Sequence, residues 1–285
     1  MTIRPLLCVA LGAAIVSCAR GHTSVVAPTR WTLVWRDEFN GDAGTAPDTA
    51  SWSYTLRDGC DAGICGWGNA EKEFYTASRE NVALDGRGHL AITARPAPPG
   101  LACYYGPCRY TSSRIRTFGK VNAVAPGRVE ARIKLPAGQG LWPAFWLLGS
   151  NYPATPWPRS GELDVMENHG SKPGATSSAI HGPGYSGETP FVHAYSLAHT
   201  SFADDFHLFA VEWDAAHVHF FVDNTLHYSM TARDAARYGP WVFDQPFFIV
   251  LNLAVGGKFD GDVGSDAVLP ATMLVDYVRV YTVKK

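Results

Sequence analysis

Residues 161–168 read Gly-Glu-Leu-Asp-Val-Met-Glu-Asn, which sets Glu162, Asp164 and Glu167 among apolar neighbours. On a strand alternate residues share a face, so Glu162 and Asp164 point one way and Leu163 and Val165 the other. Strict alternation would turn Glu167 to the wrong side. One extra residue, with Val165-Met166 standing where a single residue would go, restores it, and that is a β-bulge. Three acids on one wall repel one another and raise at least one pKa. Two such carboxyl groups suit cleavage of a glycosidic bond, one as nucleophile and one as general acid/base, about 5–5.5 Å apart. The Cα atoms of Glu162 and Glu167 would lie roughly 13 Å apart at about 3.3 Å per effective residue, so the side chains must lean together. Asp164 between them is expected to help separate their pKa values. The same acids would also serve as a solvated strand edge or a cation site.

The preceding segment Gly140-Leu-Trp-Pro-Ala-Phe-Trp-Leu-Leu-Gly149 supplies a second element. Extended, it puts Trp142, Ala144 and Trp146 on one face, a floor on which sugar rings would stack, with core packing as the alternative use of the indoles. In Phe247–Val255 the odd positions are all apolar, which leaves Asn252 alone among Phe248, Val250 and Ala254. A buried amide there needs partners, either a ligand hydroxyl or the protein itself.

Short alternating runs recur at 81–84, 89–94, 128–135, 209–213, 217–222, 247–255 and 275–281. Residues 128–135 are the cleanest, with Val129, Ala131, Ile133 and Leu135 opposite Arg128, Glu130, Arg132 and Lys134. Only 232–237 is a helix candidate, for one turn or two. The pattern predicts an all-β protein of two packed antiparallel sheets.

These residues carry a resemblance. The chain resembles glycoside hydrolase family 16, in its laminarinase-like branch, through Glu162-Leu-Asp164-Val-Met166-Glu167 with the inserted Met166. Trp35-Arg-Asp-Glu-Phe39, Gly66-Trp-Gly-Asn69 with Glu71, Gly127-Arg-Val-Glu-Ala-Arg132, Leu141-Trp-Pro-Ala-Phe-Trp146, Phe209-Ala-Val-Glu-Trp213 and Val275-Asp-Tyr-Val-Arg-Val-Tyr281 follow in order. The resemblance covers about residues 31–283. It implies a jelly roll with a concave cleft and retaining endo-hydrolysis of β-1,3-glucan. Glu162 matches the nucleophile, Glu167 the acid/base and Asp164 the assisting acid. Trp142 and Trp146 match aromatic subsite residues on the side of the sugar being attacked. Asn69, Arg114, His181 and Asn252 resemble polar cleft residues. No catalytic cofactor is implied. A structural calcium is, on the convex side, with Glu38 and Asp276 contributing. Asp260-Gly-Asp-Val-Gly-Ser-Asp266 lacks the spacing of a calcium loop and reads as a polar turn. A glucan-binding protein without activity, and a family 16 glycosidase acting on another β-glucan or a galactan, are the competing readings.

The N-terminus reads as an export signal over residues 1–18, with Arg4 and a short apolar run. Ile15-Val16-Ser17-Cys18 resembles a lipobox, which would lipidate Cys18; ordinary cleavage nearby is the alternative. Residues 19–30 read as a linker and 31–285 as a single catalytic domain. Cys60, Cys65, Cys103 and Cys108 form two C-x4-C pairs, and local bridges are the simplest of three connectivities, with zinc binding as the other use. A formal charge of −2 with 18% charged residues shows no basic footprint for nucleic acid. A secreted or envelope-located monomer is expected, touching the membrane only through a lipid anchor.

Overall fold

Alternation on Gly127–Lys134 is realised directly: Val129, Ala131 and Ile133 are fully buried, while Arg128, Glu130 and Arg132 line the other side. The computed structural model describes residues 31–284, so the export signal, Cys18 and the linker at 19–30 lie outside the described residues. Two large sheets face each other across one apolar core. The outer, ten-stranded sheet runs Thr225–Thr231, His217–Val222, His207–Trp213, Gly127–Lys134, Ala271–Val283, Leu90–Pro96, Tyr110–Ser112, Glu73–Tyr75. Trp31–Asp37 and Val82–Leu84 are added at its side. The other sheet has seven strands in the order Phe191–Ser196, Ala175–His181, Glu162–Glu167, Leu141–Gly149, Phe247–Val255, Arg114–Arg116, Ser53–Thr55.

The pairing is antiparallel with one departure from expectation, since Glu73–Tyr75 runs parallel to Tyr110–Ser112. The helix candidate shortens to one turn, Ala232–Ala235, capped by the Thr231 hydroxyl accepting from Asp234 N at 3.1 Å. Among the described residues no helix is long and apolar enough to cross a membrane. Both local disulfides, Cys60–Cys65 and Cys103–Cys108, are formed.

The strands that matter most sit at the middle of the seven-stranded sheet. Phe247–Val255 is buried along its whole length, with Phe247, Ile249, Leu251, Leu253 and Val255 turned into the core. On Leu141–Gly149 the core side is Leu141, Phe145 and Leu147, which leaves Trp142 and Trp146 half-buried on the opposite face. Entry to the acid strand requires a left-handed residue: Gly161 has φ +71, and a Cβ there would meet Val242 at 3.1 Å.

Candidate active site

The bulge is where the sequence places it. Across from Leu141–Gly149, Glu162 pairs with Leu148, Asp164 with Trp146, and Glu167 with Ala144, while Met166 pairs with Phe145 and the register shifts past Val165. Positions 148, 146 and 144 alternate on their strand, so all three acids stand on one face. On the other flank Glu162 pairs with His181, Asp164 with Ala179 and Glu167 with Ser177, with the same shift. Leu163, Val165 and Met166 all sink into the core, at 1% exposure or less. Burying each such side chain contributes about 1.5–3 kcal/mol, so the irregular strand is held from beneath.

Above that anchor the acids have little to offset their charge. Among the described residues the basic side chain beside them is His181, whose Nε2 lies 3.0 Å from Asp164 Oδ2 and 3.8 Å from Glu162 Oε1. That contact is close without being an aligned hydrogen bond, and Asp164 Oδ2 has no hydrogen-bond partner. Trp142 Nε1–H donates to Glu167 Oε1 at 3.1 Å. Burial pushes all three carboxyls up to about 8. The Asp164 charge adds to the rise at Glu162 and Glu167, while His181 opposes it at both and the indole N–H opposes it at Glu167. The Asp164 charge acts on both glutamates in the same direction, upward.

The remaining cleft residues form a single network. Trp146 Nε1–H donates to Asn252 Oδ1 at 2.8 Å, and Asn252 Nδ2 donates to the Tyr75 hydroxyl at 3.3 Å. Tyr75 OH donates to Glu71 Oε2 at 3.3 Å, and Asn69 Nδ2 donates to Glu71 Oε1 at 3.2 Å. An Arg114 nitrogen reaches the same Glu71 at 3.4 Å. The Asn252 amide is thus satisfied by protein groups and holds an indole in place. Arg114 pairs with Asn252 in register and lies 4.5 Å from the Trp67 ring, 4.7 Å from Tyr75 and 5.7 Å from Trp146. Arg114 Nε and Trp67 Nε1 are buried donors with no protein acceptor, so both have hydrogen-bonding capacity left over.

Asn69, Arg114, Trp146 and Asn252 belong to this network, and His181, Trp142, Glu162, Asp164 and Glu167 to the acid cluster beside it. Sequence reasoning missed Glu71 and Tyr75 as the network's hub, Trp67 as its ring, Phe259, which stacks on Trp142, and His169, which stacks on Phe259. Glu71 had a signal in its motif beside Asn69; Phe259 and His169 had none.

The two acids expected to contribute to a calcium site are engaged by arginines. Glu38 is held by two nitrogens of Arg279, at 2.9 and 3.0 Å, and Asp276 by Arg132 at 2.6 Å. Each carboxylate is neutralised by a different guanidinium of the chain, so the residues as placed do not fit a cation site. Asp260 departs from a solvated turn as well: its side chain is 4% exposed and accepts the N–H groups of Gly140 and Ser171.

Comparison with known proteins agrees with this geometry. A β-glucanase from Rhodothermus marinus is 38% identical, over 97% of this chain and 92% of its own length. A glucan endo-1,3-β-glucosidase A1 from Niallia circulans is 39% identical over 87% of this chain, which spans only 37% of that longer protein. The crystal structure of an endo-β-1,3-glucanase from Pyrococcus furiosus superposes with a TM-score of 0.84 at 42% identity, covering 90% of this chain and 96% of that one. Residues 70–279 match the profile of glycosyl hydrolases family 16. With the bulged acid strand, the jelly-roll sheets and these likenesses together, the chain belongs to glycosyl hydrolases family 16.

Proposed function

We propose that the chain is an endo-acting hydrolase of β-1,3-glucan that works with retention through a glycosyl-enzyme. The observation that carries this is the register of Glu162, Asp164 and Glu167 against alternate residues of one neighbouring strand, which puts three buried carboxyls on one face beside two indoles. The names of its relatives support β-1,3-glucan as the substrate. Protonated Glu167 gives its proton to the glycosidic oxygen while ionised Glu162 attacks the anomeric carbon, and the leaving sugar departs with the new hydroxyl. Water then attacks the glycosyl-enzyme, losing its proton to Glu167, and Glu162 is released as carboxylate. Burial raises Glu167 to about 8, toward the protonated form that the first step needs, and raises Glu162 as well, where the Arg114 charge acts in the opposite direction. His181 beside Glu162 and Asp164 offsets the negative charge that the nucleophile must carry. Family 16 glycosidases use no catalytic cofactor, and the chain's own carboxyls supply every proton and the nucleophile. The two disulfides support an exported location.

Incubation with laminarin tests the reading: new reducing ends are expected from the wild type. Glu162→Gln should lower turnover by about 10⁴-fold or more while the protein still folds and binds oligosaccharide. For Glu167→Ala, azide should restore turnover of an activated substrate and give a β-glycosyl azide. An α-azide product would overturn the assignment of roles.

A further inference from the structure

Trp142 is held from two directions. Its Nε1–H points at Glu167, and its ring lies on Phe259 with centroids 4.3 Å apart and planes 13° from parallel. Phe259 is backed in turn by the His169 imidazole, at 3.9 Å and 7°. The base of this three-ring ladder is Asp260, whose carboxylate accepts from Gly140 N at 2.8 Å and Ser171 N at 3.0 Å and lies 3.4 Å from His169 Nδ1. Three segments therefore meet here: the one entering the Trp142 strand, the one leaving Glu167, and the one leaving the Asn252 strand. Gly170 fits this junction because a Cβ on it would lie 2.2 Å from Gly138 O.

Both faces of Phe259 carry a ring, so it offers no open face on which a sugar would stack. Its phenyl group has no polar atom for Glu167 either. What it controls is the attitude of the indole. A hydrogen bond of 3.1 Å weakens steeply as its angle or length opens, and a displacement of about 0.5 Å already takes it beyond a useful distance. We propose that Phe259 is a positioning residue for the acid/base: by stacking on Trp142 it holds the indole N–H against the Glu167 carboxyl. The inference rests on the reading of Glu167 as acid/base given above.

The consequence is directional. An N–H donated to a carboxylate favours its ionised form, so the ladder holds the acid/base below the value that burial alone would give it. The other charged groups facing Glu167 are Asp164 and Glu162 on its own strand and His181 on the neighbouring strand. None of them belongs to the ladder. Burial draws His169 downward, so that imidazole titrates on the acid side and is not confused with loss of the acid on the alkaline side.

The test is the pH dependence of kcat/KM, on a β-1,3-linked oligosaccharide of defined length, for the wild type, Trp142→Phe, Phe259→Ala, Phe259→Trp and the double variant Trp142→Phe/Phe259→Ala. Trp142→Phe keeps a ring and removes the donor. It and Phe259→Ala should each move the alkaline limb upward by about half a unit to one unit. Each should also lower kcat about tenfold with less than about a threefold change in KM. Phe259→Trp, which retains a flat ring, should keep the wild-type limb. The double variant should show the limb of Trp142→Phe alone, because both changes act through one hydrogen bond. An unmoved limb in Phe259→Ala, an additive shift in the double variant, or a loss confined to KM would overturn the proposal. Should Phe259→Ala fail to fold, Phe259→Leu fills similar volume without a flat face and carries the same expectation. Azide rescue of Glu167→Ala separates the two levels. No rescue sinks the acid/base assignment, whereas rescue with an unmoved limb in the Phe259 variants sinks this inference alone.

Discussion

Glu130 on the outer sheet and Glu162 on the concave sheet are both carboxylates on central strands, in opposite electrostatic surroundings. Glu130 accepts two hydrogen bonds from Arg128, at 2.9 and 2.7 Å, and a third from the Tyr281 hydroxyl at 2.8 Å. Arg128 also reaches Glu212 at 2.6 Å, and along the same face Arg132 pairs with Asp276 and Arg279 with Glu38. Arg279 holds the Glu38 carboxyl below the usual range. On the concave face Glu162, Asp164 and Glu167 share one imidazole and one indole N–H, and burial pushes their pKa values up. One sheet spends its acids on fixed charge pairs, and the other keeps them able to exchange protons. Removing a residue should therefore hurt stability on one face and relieve it on the other.

The largest stability effect is expected from Arg128→Met, which strands two carboxylates that are partly or fully buried. It should cost about 3 kcal/mol in denaturant unfolding, as for other broken buried pairs. An unchanged midpoint would show that the outer ladder is a surface ornament. Asp164→Asn should act in the other direction. The folded state holds the Asp164 proton up to about 8, whereas its unfolded value is near 3.8. Between these values the unfolded chain binds fewer protons than the folded one, so wild-type stability falls as pH rises through that window and levels off above it. Compared with wild type, Asp164→Asn should gain about 1–3 kcal/mol between pH 4 and pH 8, read from thermal melts at both. Equal melts at the two pH values would mean that the acid cluster is not charged at a cost. The smallest effect is expected for Arg132→Ala, whose pair is more exposed; a loss under about 1 kcal/mol would distinguish it from Arg128.

Much of the acid strand was legible because alternation fails there by a single residue, and that failure is visible in the chain itself. The strands expected at 217–222 and 247–255 match to the residue, and 128–135 is displaced by one. Their period of two runs along adjacent residues. What could not be read depends on contacts between remote segments. Phe259 meets Trp142, and His169 backs Phe259, only because three loops converge on Asp260, and a loop has no periodicity to announce it. Tyr75 matters through its hydroxyl, which only the fold brings to Glu71, Arg114 and Asn252. The partners of Glu38 and Asp276 are hidden for a related reason: the resemblance names the two acids, and only folding brings Arg279 and Arg132 onto them.

The bulge makes the active site depend on parity. Because Val165 and Met166 both sink inward against a single partner position, Glu167 returns to the cleft only while the count between the outer acids stays as it is. Loss of either residue would turn that carboxyl toward the apolar interior without altering any acid. A one-codon deletion here should be more damaging than most replacements, since what is encoded at this point is a number rather than a letter.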